Sequence, residues 1–311
     1  ALIDVGTNAE ILLIHEGRIY GTSTPAGPSF EGGGIRWGVR ARAGAIEHIH
    51  VTADSLSIQT IGHQPAVGVC GSGLVDLLAE GMKCGLLTPA GRFQGEHPNL
   101  EWIPPKADTA RPADAVPDER GASPNTAKKA PRRRLVLARA DQARQGYGVL
   151  YITEGEIAQL LQAKAAIFAG FYTLLQAVGI GLEDIDELLL AGGFARHIDL
   201  QSAIGCGMLP DVRNIQVVGN TSLAGSLRVI LHHHALTTMK DLMHAAQIVE
   251  LNLEPTFEQN FIDALFLPNV RRKLFPSVPP PPPRRPNPPP PEFVTAMHAG
   301  AASASTGGTA P

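Results

Sequence analysis

An apolar strand pattern that runs directly into an Asp-x-Gly-Thr turn opens the chain. The apolar residues 1–3 precede Asp4-Val5-Gly6-Thr7-Asn8. Gly6 lets the backbone approach an anion closely, Thr7 adds a hydroxyl donor, and Asp4 at the strand end is placed to hold magnesium through water. An ordinary β-hairpin also ends in Asp-x-Gly, so this turn by itself predicts either a phosphate loop or a hairpin.

A second junction between a strand and glycines lies far downstream. The apolar residues 188–190 lead through Ala191 into Gly192-Gly193, and residues 194–196 read Phe-Ala-Arg. Glycine pairs after a buried strand allow a ligand to approach the backbone closely. Two such junctions in one chain favour a single nucleotide held at two points.

Several further segments follow in an order similar to that of one protein family. They resemble the carboxy-terminal domain of the ATP-dependent reductive activators of corrinoid proteins, within the superfamily of actin, sugar kinases and heat-shock chaperone ATPases. The resemblance covers residues 1–268 apart from one insertion. Besides the two junctions, the segments that carry it are residues 24–32, 44–46, 69–76, 163–167, 219–225 and 261–268.

The resemblance implies an α/β fold, a ribonuclease-H-like lobe with a mixed sheet and flanking helices. Strands alternating with helices in the sequence agree with that class. We expect strands near residues 1–5, 10–15, 18–23, 188–190 and 215–218, and helices near residues 74–83, 154–178, from 222 and over 238–249.

The resemblance also implies cofactors, ATP and magnesium, and roles for the residues of the two junctions. It places phosphate and magnesium near the first junction, with Asp4 as the catalytic and metal-binding residue, and adenosine near the second. The first set is Asp4, Gly6, Thr7 and Asn8, and the second is Gly192, Gly193 and Arg196. Ala9 and Ala195 depart from the family pattern, which has glycine at both positions, and each adds a methyl group beside a loop.

Three further features have two interpretations each. Lys164 lies on the apolar side of the helix predicted at residues 154–178, either with its ammonium group reaching solvent or turned toward the phosphates. Gly219-Asn220 at a strand end is either a nucleotide contact or a turn. The basic run at residues 128–134 is either a solvated charge cluster or a polyanion or import patch. By contrast, His232-His233-His234 point in different directions on a helix, which disfavours one shared metal ion.

Composition places the chain in a class without defining its chemistry. The net charge of −3 argues against a nucleic-acid partner, and three scattered cysteines argue against a disulfide framework. No apolar run reaches the ~18 residues of a membrane span. We therefore expect a reduced, cytoplasmic protein with no membrane partner.

The cysteines also exclude an iron–sulfur cluster on this chain, because a 2Fe-2S centre needs four clustered thiolates. In the family that the chain resembles, the cluster belongs to an amino-terminal domain. We expect that domain, and a first lobe with its own phosphate loop, upstream of Ala1, so that the chain is a piece of a longer protein and inactive alone. The implied partner is a corrinoid protein of a methyltransferase system, and the resemblance allows a homodimer.

Proline and charge divide the chain into four parts. We expect an ATPase-like lobe built from residues 1–94 and 135–275, a disordered insertion at residues 95–134, and a disordered tail at residues 276–311. Two other functions stay open at this point. One is a small-molecule kinase or radical-enzyme activase of the same superfamily, and the other is a noncatalytic interaction module.

Overall fold

The structure is a computed structural model that describes residues 1–103 and 132–290. Its centre is a mixed sheet of six strands in the order β11-β10-β1-β2-β3-β12. These strands are β1 (Leu2–Val5), β2 (Asn8–His15), β3 (Arg18–Pro25), β10 (Leu188–Ala191), β11 (Ile215–Gly219) and β12 (Ala246–Ile248).

The sheet combines a meander with parallel additions. Strands β1, β2 and β3 pair antiparallel, whereas β10 pairs parallel with β1 and β11 pairs parallel with β10. Strand β12 pairs parallel with β3 at the other edge. This arrangement confirms the predicted α/β class with a mixed sheet. It also brings the carboxyl ends of β1, β10 and β11 to one edge.

Two smaller sheets of three strands each complete the β-structure. Their orders are β5-β4-β6 and β7-β8-β9. The strands are β4 (Ala45–Val51), β5 (Leu56–Thr60), β6 (Gly68–Val69), β7 (Leu100–Trp102), β8 (Arg133–Ala138) and β9 (Leu150–Thr153).

Six α-helices surround the sheets in the described part of the chain. They are α1 (Gly71–Lys83), α2 (Glu154–Val178), α3 (Leu200–Gly205), α4 (Thr221–Leu231), α5 (Ala235–Ala245) and α6 (Phe257–Ala264).

Helix α2 is the core helix, and its predicted boundaries are confirmed. A capping box joins Thr153 and Glu156 at its start, and Gly179 ends it in the left-handed conformation with φ of 85°. By length and composition α2 could cross a membrane, but 78% of its most apolar stretch is buried inside the domain. Gly170 allows the helix to lie directly on the sheet, because a β-carbon there would come within 3.1 Å of the Ile11 side chain.

The two faces of the six-stranded sheet differ. On β2, Ile11 and Leu13 are buried beneath α2, whereas Leu12 and Ile14 on the other face are exposed. Helices α4 and α5 contain no buried residues. An apolar groove of about 710 Å³ lies between this sheet face and α5. The predicted helix at residues 238–249 is wrong at its end, because Ala246–Ile248 leaves the helix to pair with β3.

The prediction of disorder at residues 95–134 and 276–311 is wrong where the structure describes those segments. Strands β7 and β8 pair with each other. Arg133 is buried and donates hydrogen bonds to the carbonyl oxygens of Gly95 (2.8 Å) and Phe93 (2.7 Å). Residues 276–290 run as extended chain without helix or strand, and Asn287 Oδ1 accepts hydrogen bonds from Gly95 N (3.0 Å) and Arg133 Nη2 (2.9 Å). Residues 104–131 and 291–311 lie outside the described residues.

The same contacts correct the interpretations of the basic run. Arg134 forms an ion pair with Glu101 at 3.1 Å, and its guanidinium lies 4.7 Å from the centre of the Tyr151 ring. Arg133 and Arg134 therefore hold the β7-β8-β9 sheet together, and neither belongs to a solvated charge cluster. Residues 128–131 of that run lie outside the described part.

Candidate functional site

The two predicted junctions lie side by side at the carboxyl edge of the central sheet. Asp4 on β1 pairs in register with Ala191 on β10, and Ala191 pairs with Gly219 on β11. Residues more than 180 positions apart in sequence thereby meet through parallel strand pairing. The structure thus brings the first junction, the Gly192-Gly193 pair and Gly219-Asn220 together, as expected for a nucleotide held at several points.

The Asp4 carboxylate lies at the start of helix α4. Its Oδ2 accepts hydrogen bonds from Thr221 Oγ1 and Ser222 Oγ, both at 3.2 Å. Asn220 caps the same helix, with its Oδ1 accepting from Leu223 N at 2.8 Å. The positive end of the helix dipole and two hydroxyl groups stabilise the charged carboxylate. Asn220 is thus a helix cap beside the site, which favours the turn interpretation for its side chain.

The loop at Gly6, Thr7 and Asn8 connects β1 to β2 and is exposed. Gly6 N donates to Asn8 O at 3.0 Å. The Thr7 hydroxyl donates to Glu31 Oε1 at 2.5 Å. The first junction therefore is a strand connection of the hairpin kind, and it also carries an acidic neighbour. Glu31, at the end of the short helical turn Pro28–Glu31, is a site residue that the sequence did not indicate.

Gly192 is the residue that the site geometry constrains most strongly. Its φ is +104°, and a β-carbon there would lie 2.5 Å from Val5 O and 2.9 Å from Asp4 Oδ1. Its own N–H donates to Gly219 O at 2.9 Å. Only glycine fits this position, because any side chain would push the Asp4 carboxylate away.

Gly193 has the opposite surroundings. A β-carbon built on it would find nothing within 4 Å, so this backbone faces open space beside the Asp4 carboxylate. Arg196 is exposed, and its Cδ and Nε lie 3.8 Å from the position of a β-carbon on Gly219. Gly193, Arg196 and Gly219 together form the wall of an open surface next to Asp4.

The floor of the site is aromatic and tightly packed. The rings of Phe30 and Phe194 stack with their centres 5.8 Å apart. A β-carbon on Gly71 would come within 2.3 Å of Phe30 O and 2.4 Å of Phe194 Cε2, so the first residue of α1 is pressed against both. Gly71 thus lets α1 approach the loops that carry Glu31 and Gly193.

Both interpretations of Lys164 are wrong. Its side chain is fully buried, and Nζ donates to Phe266 O (2.5 Å) and Pro268 O (2.7 Å). Burial lowers the pKa of Lys164 to about 7, and the buried Cys206 beside it has its pKa raised to about 11, chiefly by burial. The amine fixes the chain segment after α6 to the core helix and takes no part in a phosphate site.

The two alanines at positions where the resemblance predicts glycine cause no distortion. Ala9 is fully buried in β2, and Ala195 is 1% exposed in the helical turn Phe194–Arg196. Among the described residues other than glycine, positive φ occurs at Glu16 and His63 alone. The methyl groups of Ala9 and Ala195 therefore pack in the core, and neither loop needs glycine there.

Comparison with known proteins agrees with this geometry. The chain matches the family model of the C-terminal domain of RACo, the ASKHA domain, over residues 1–112 and 113–279. It is 29% identical over 272 residues to the corrinoid activation enzyme RamQ of Eubacterium limosum, which covers 86% of this chain and 43% of the relative. It is 26% identical over 256 residues to the Co(II) methylated amine-specific corrinoid protein reductase of Methanosarcina barkeri, covering 75% and 39%.

A solved structure gives the same result. The reductive activator for corrinoid, iron-sulfur protein superimposes with a TM-score of 0.74 at 33% identity, over 89% of this chain and 41% of that chain. The chain spans less than half the length of each of these proteins.

Proposed function

Because this chain belongs to the family of the C-terminal ASKHA domain of RACo, which implies nucleotide binding, we propose that it forms one lobe of an ATP-driven reductive activator. In this function ATP hydrolysis drives one electron onto a corrinoid protein of a methyltransferase system, reducing its cobalt from Co(II) to Co(I). Similarity to two proteins named for corrinoid activation and corrinoid-protein reduction supports this substrate. We place the activity in the cytoplasm.

One observation carries the proposal. The ends of β1, β10 and β11 converge on the Asp4 carboxylate, and Gly192, where a β-carbon would crowd that carboxylate, has no side chain. Gly193 beside it is open. An anionic side chain at the edge of an open, glycine-lined surface fits a nucleotide whose phosphates arrive together with a cation.

The donor set fits magnesium. Asp4 and Glu31 supply carboxylate oxygens, and Thr7 supplies a hydroxyl group that already bonds to Glu31. Magnesium prefers such oxygen donors and keeps several of its waters. When bound, the ion would neutralise negative charge on the phosphates. Without the ion, the two carboxylates would repel the phosphates. Asp4 is the residue we assign to magnesium, while Gly193 and Arg196 border the adenosine.

This lobe does not carry the electron. Cys70 and Cys206 are buried and Cys84 is half-buried, all as free thiols, and burial raises the pKa of each. A 2Fe-2S cluster needs four thiolates held together. We propose that the cluster belongs to an iron–sulfur domain outside these 311 residues, and that a first lobe outside them completes the ATP site.

The experiment uses a longer protein in which this lobe is joined to its iron–sulfur domain and first lobe. Electron paramagnetic resonance follows the loss of the Co(II) signal of the corrinoid protein, and phosphate release follows hydrolysis in the same samples. We expect Asp4→Asn to abolish both, because the magnesium ligand is lost, and Asp141→Asn, an exposed carboxylate elsewhere, to change neither.

Two results would overturn the proposal. Reduction of Co(II) that proceeds equally well without ATP would remove the coupling. Hydrolysis that Asp4→Asn leaves intact would move the nucleotide away from this site and favour the kinase or interaction-module alternatives.

A further inference from the structure

A second polar constellation lies on helix α1, away from the loops around Asp4. Two histidines of β4 each form a pair with a carboxylate of α1. His48 Nδ1 lies 3.0 Å from Asp76 Oδ2, and His50 Nδ1 lies 3.0 Å from Glu80 Oε2. The nucleotide site described above uses none of these four side chains.

The spacing of the residues places the His48–Asp76 and His50–Glu80 pairs next to each other between β4 and α1. Positions 48 and 50 are two apart on a strand and share one face, while positions 76 and 80 are four apart on a helix and share one face. One helical turn matches two residues of strand in length to within about 2 Å. The two imidazole rings therefore stand side by side with their Nδ1 atoms toward α1.

The carboxylates define the chemistry of the rings. A carboxylate that accepts a hydrogen bond from Nδ1–H leaves the lone pair of a neutral imidazole on Nε2. Asp76 is 5% exposed, and its Oδ2 also accepts from Ile49 N at 3.4 Å. Its Oδ1 is buried with no hydrogen-bond partner in the described part of the protein. This buried carboxylate keeps His48 oriented, whereas the His48 and His50 side chains are 46% and 65% exposed.

The rings line an open groove of about 410 Å³ with a negative wall. Across the groove lies Asp199, whose Oδ1 accepts from Ser202 N at 2.7 Å. Asp76, Glu80 and Asp199 outnumber the one neighbouring lysine, Lys83, which pairs with Glu80 at 3.1 Å, and this excess of carboxylates favours a cation there.

We propose that His48 and His50 bind one divalent transition-metal ion of borderline softness, such as zinc or nickel, through their Nε2 atoms. Asp76 and Glu80 are positioning residues that orient the rings from behind, as carboxylates do in many histidine–metal sites. The described residues contain no group of three or more His, Cys, Asp or Glu side chains arranged to hold a metal ion. Water therefore completes the coordination, and an imidazole pair selects zinc or nickel over magnesium, which prefers oxygen.

The site has a defined relation to the nucleotide loops. Asp76 and Glu80 lie five and nine residues after Gly71, so they are roughly 8–14 Å along the α1 axis from the contact with Phe30 and Phe194. A metal ion bridging the exposed edges of His48 and His50 would stiffen the β4–α1 unit that supports those loops.

The test titrates the full 311-residue chain with zinc chloride and, separately, with nickel chloride by calorimetry at pH 7.5. His232, His233 and His234 form a competing exposed cluster, so a variant with all three replaced by Gln serves as the matched background. We expect this background to bind one zinc or nickel ion per chain, and any heat from magnesium chloride to be the same in variants that lack His48 and His50. Adding His48→Gln and His50→Gln should remove this binding, since both protein ligands are lost.

A second readout separates ligation from folding. Nitrogen-15 NMR of the histidine rings should show the Nε2 signals of His48 and His50 shifting on addition of zinc, while the backbone amide spectrum stays that of the folded chain. Glu80→Gln should weaken binding by about 10–100-fold with the fold intact. Binding that is unchanged in the His48→Gln, His50→Gln variant, or zinc-induced shifts confined to other histidines, would overturn the proposal.

Discussion

The buried amine of Lys164 predicts a specific dependence of stability on pH. Its pKa is about 7 in the folded chain against the ordinary value of 10.5. Between these values an unfolded chain holds a proton on Lys164 that the folded chain lacks. The free energy of unfolding therefore rises with pH across that interval. The full increase is present above pH 10.5, and it is lost as the pH falls to about 7.

The magnitude follows from the linkage relation. Each pH unit inside the interval contributes up to about 1.4 kcal/mol, so the whole interval amounts to about 5 kcal/mol. The effect of Lys164 is best measured below about pH 8.5, because the pKa of the Cys206 thiol is raised from 9.0 in the folded chain. Above pH 9.0 this thiol makes the free energy of unfolding fall as the pH rises. From pH 7 to 8.5 we expect Lys164 to contribute about 2 kcal/mol.

The perturbation is Lys164→Met, which keeps the length and apolar character of the side chain but removes the amine. It also leaves the carbonyl oxygens of Phe266 and Pro268 without their donor, at about 1–3 kcal/mol each. The variant should therefore be less stable than wild type at pH 8.5. The difference in the free energy of unfolding between the two proteins should be about 2 kcal/mol smaller at pH 7, because there the wild type is destabilised by burying a charged amine.

The assay is urea unfolding at a series of pH values, followed by the fluorescence of the buried Trp37. Lys240→Met on α5, an exposed lysine, is the matched control and should keep the wild-type pH dependence. Parallel profiles for wild type and Lys164→Met from pH 7 to 8.5 would show that Lys164 keeps its proton in the folded chain, and would refute this reasoning.

Two further predictions concern Gly192 in the site and Asn287 in the extended segment at residues 276–290. Gly192→Ala should lower the melting temperature and remove nucleotide binding, since positive φ costs about 1–2 kcal/mol and the added methyl group displaces Asp4; Gly193→Ala, in open space, should leave the melting temperature unchanged. Equal melting curves for the two variants would contradict the geometry at Gly192. Asn287→Ala should speed hydrogen exchange at the Gly95 amide by about tenfold, because that amide loses its acceptor and Arg133 loses one of its acceptors. Unchanged exchange at Gly95 would mean that residues 276–290 do not hold the insertion.

The sequence predicted the parts of the site that depend on local rules. A strand followed by glycine places a turn, and Asp4 lies near the end of β1 before Gly6, while Gly192 directly follows β10. The capping box at Thr153 and the left-handed Gly179 fixed the ends of α2 in the same way. These features are local because the deciding contacts span only a few residues.

The incorrect predictions have a different cause, which is that the deciding contacts join residues far apart in the chain. The helical period placed Lys164 on the buried side of α2, but its acceptors, Phe266 O and Pro268 O, follow more than 100 residues later. Composition predicted disorder around Arg133, one of whose acceptors, Asn287, is 154 residues away. No local pattern distinguishes a buried arginine with distant acceptors from one in a solvated run.

Glu31 and Thr221 were missed for the same reason. Each becomes a site residue only because a distant side chain reaches it, Thr7 in one case and Asp4 in the other. A sequence signal existed for Thr221, since Asn-Thr-Ser after a strand is typical of a helix start, and helix starts attract anionic groups. Glu31 gave no such signal.

The central claim is that the ends of β1, β10 and β11 form one half of a nucleotide site. Losing two charge-assisted contacts of about 1.5–3 kcal/mol each would weaken ATP binding by about 10²–10⁴-fold, so binding to the isolated lobe should be weak. The most direct measurement is a nitrogen-15 NMR titration of the chain with magnesium-ATP, which detects weak binding residue by residue. We expect the amides of Thr7, Gly193 and Gly219 to shift together with one weak affinity, and Asp4→Asn to abolish the shifts. Tight binding, or shifts confined to residues outside these three loops, would contradict the account.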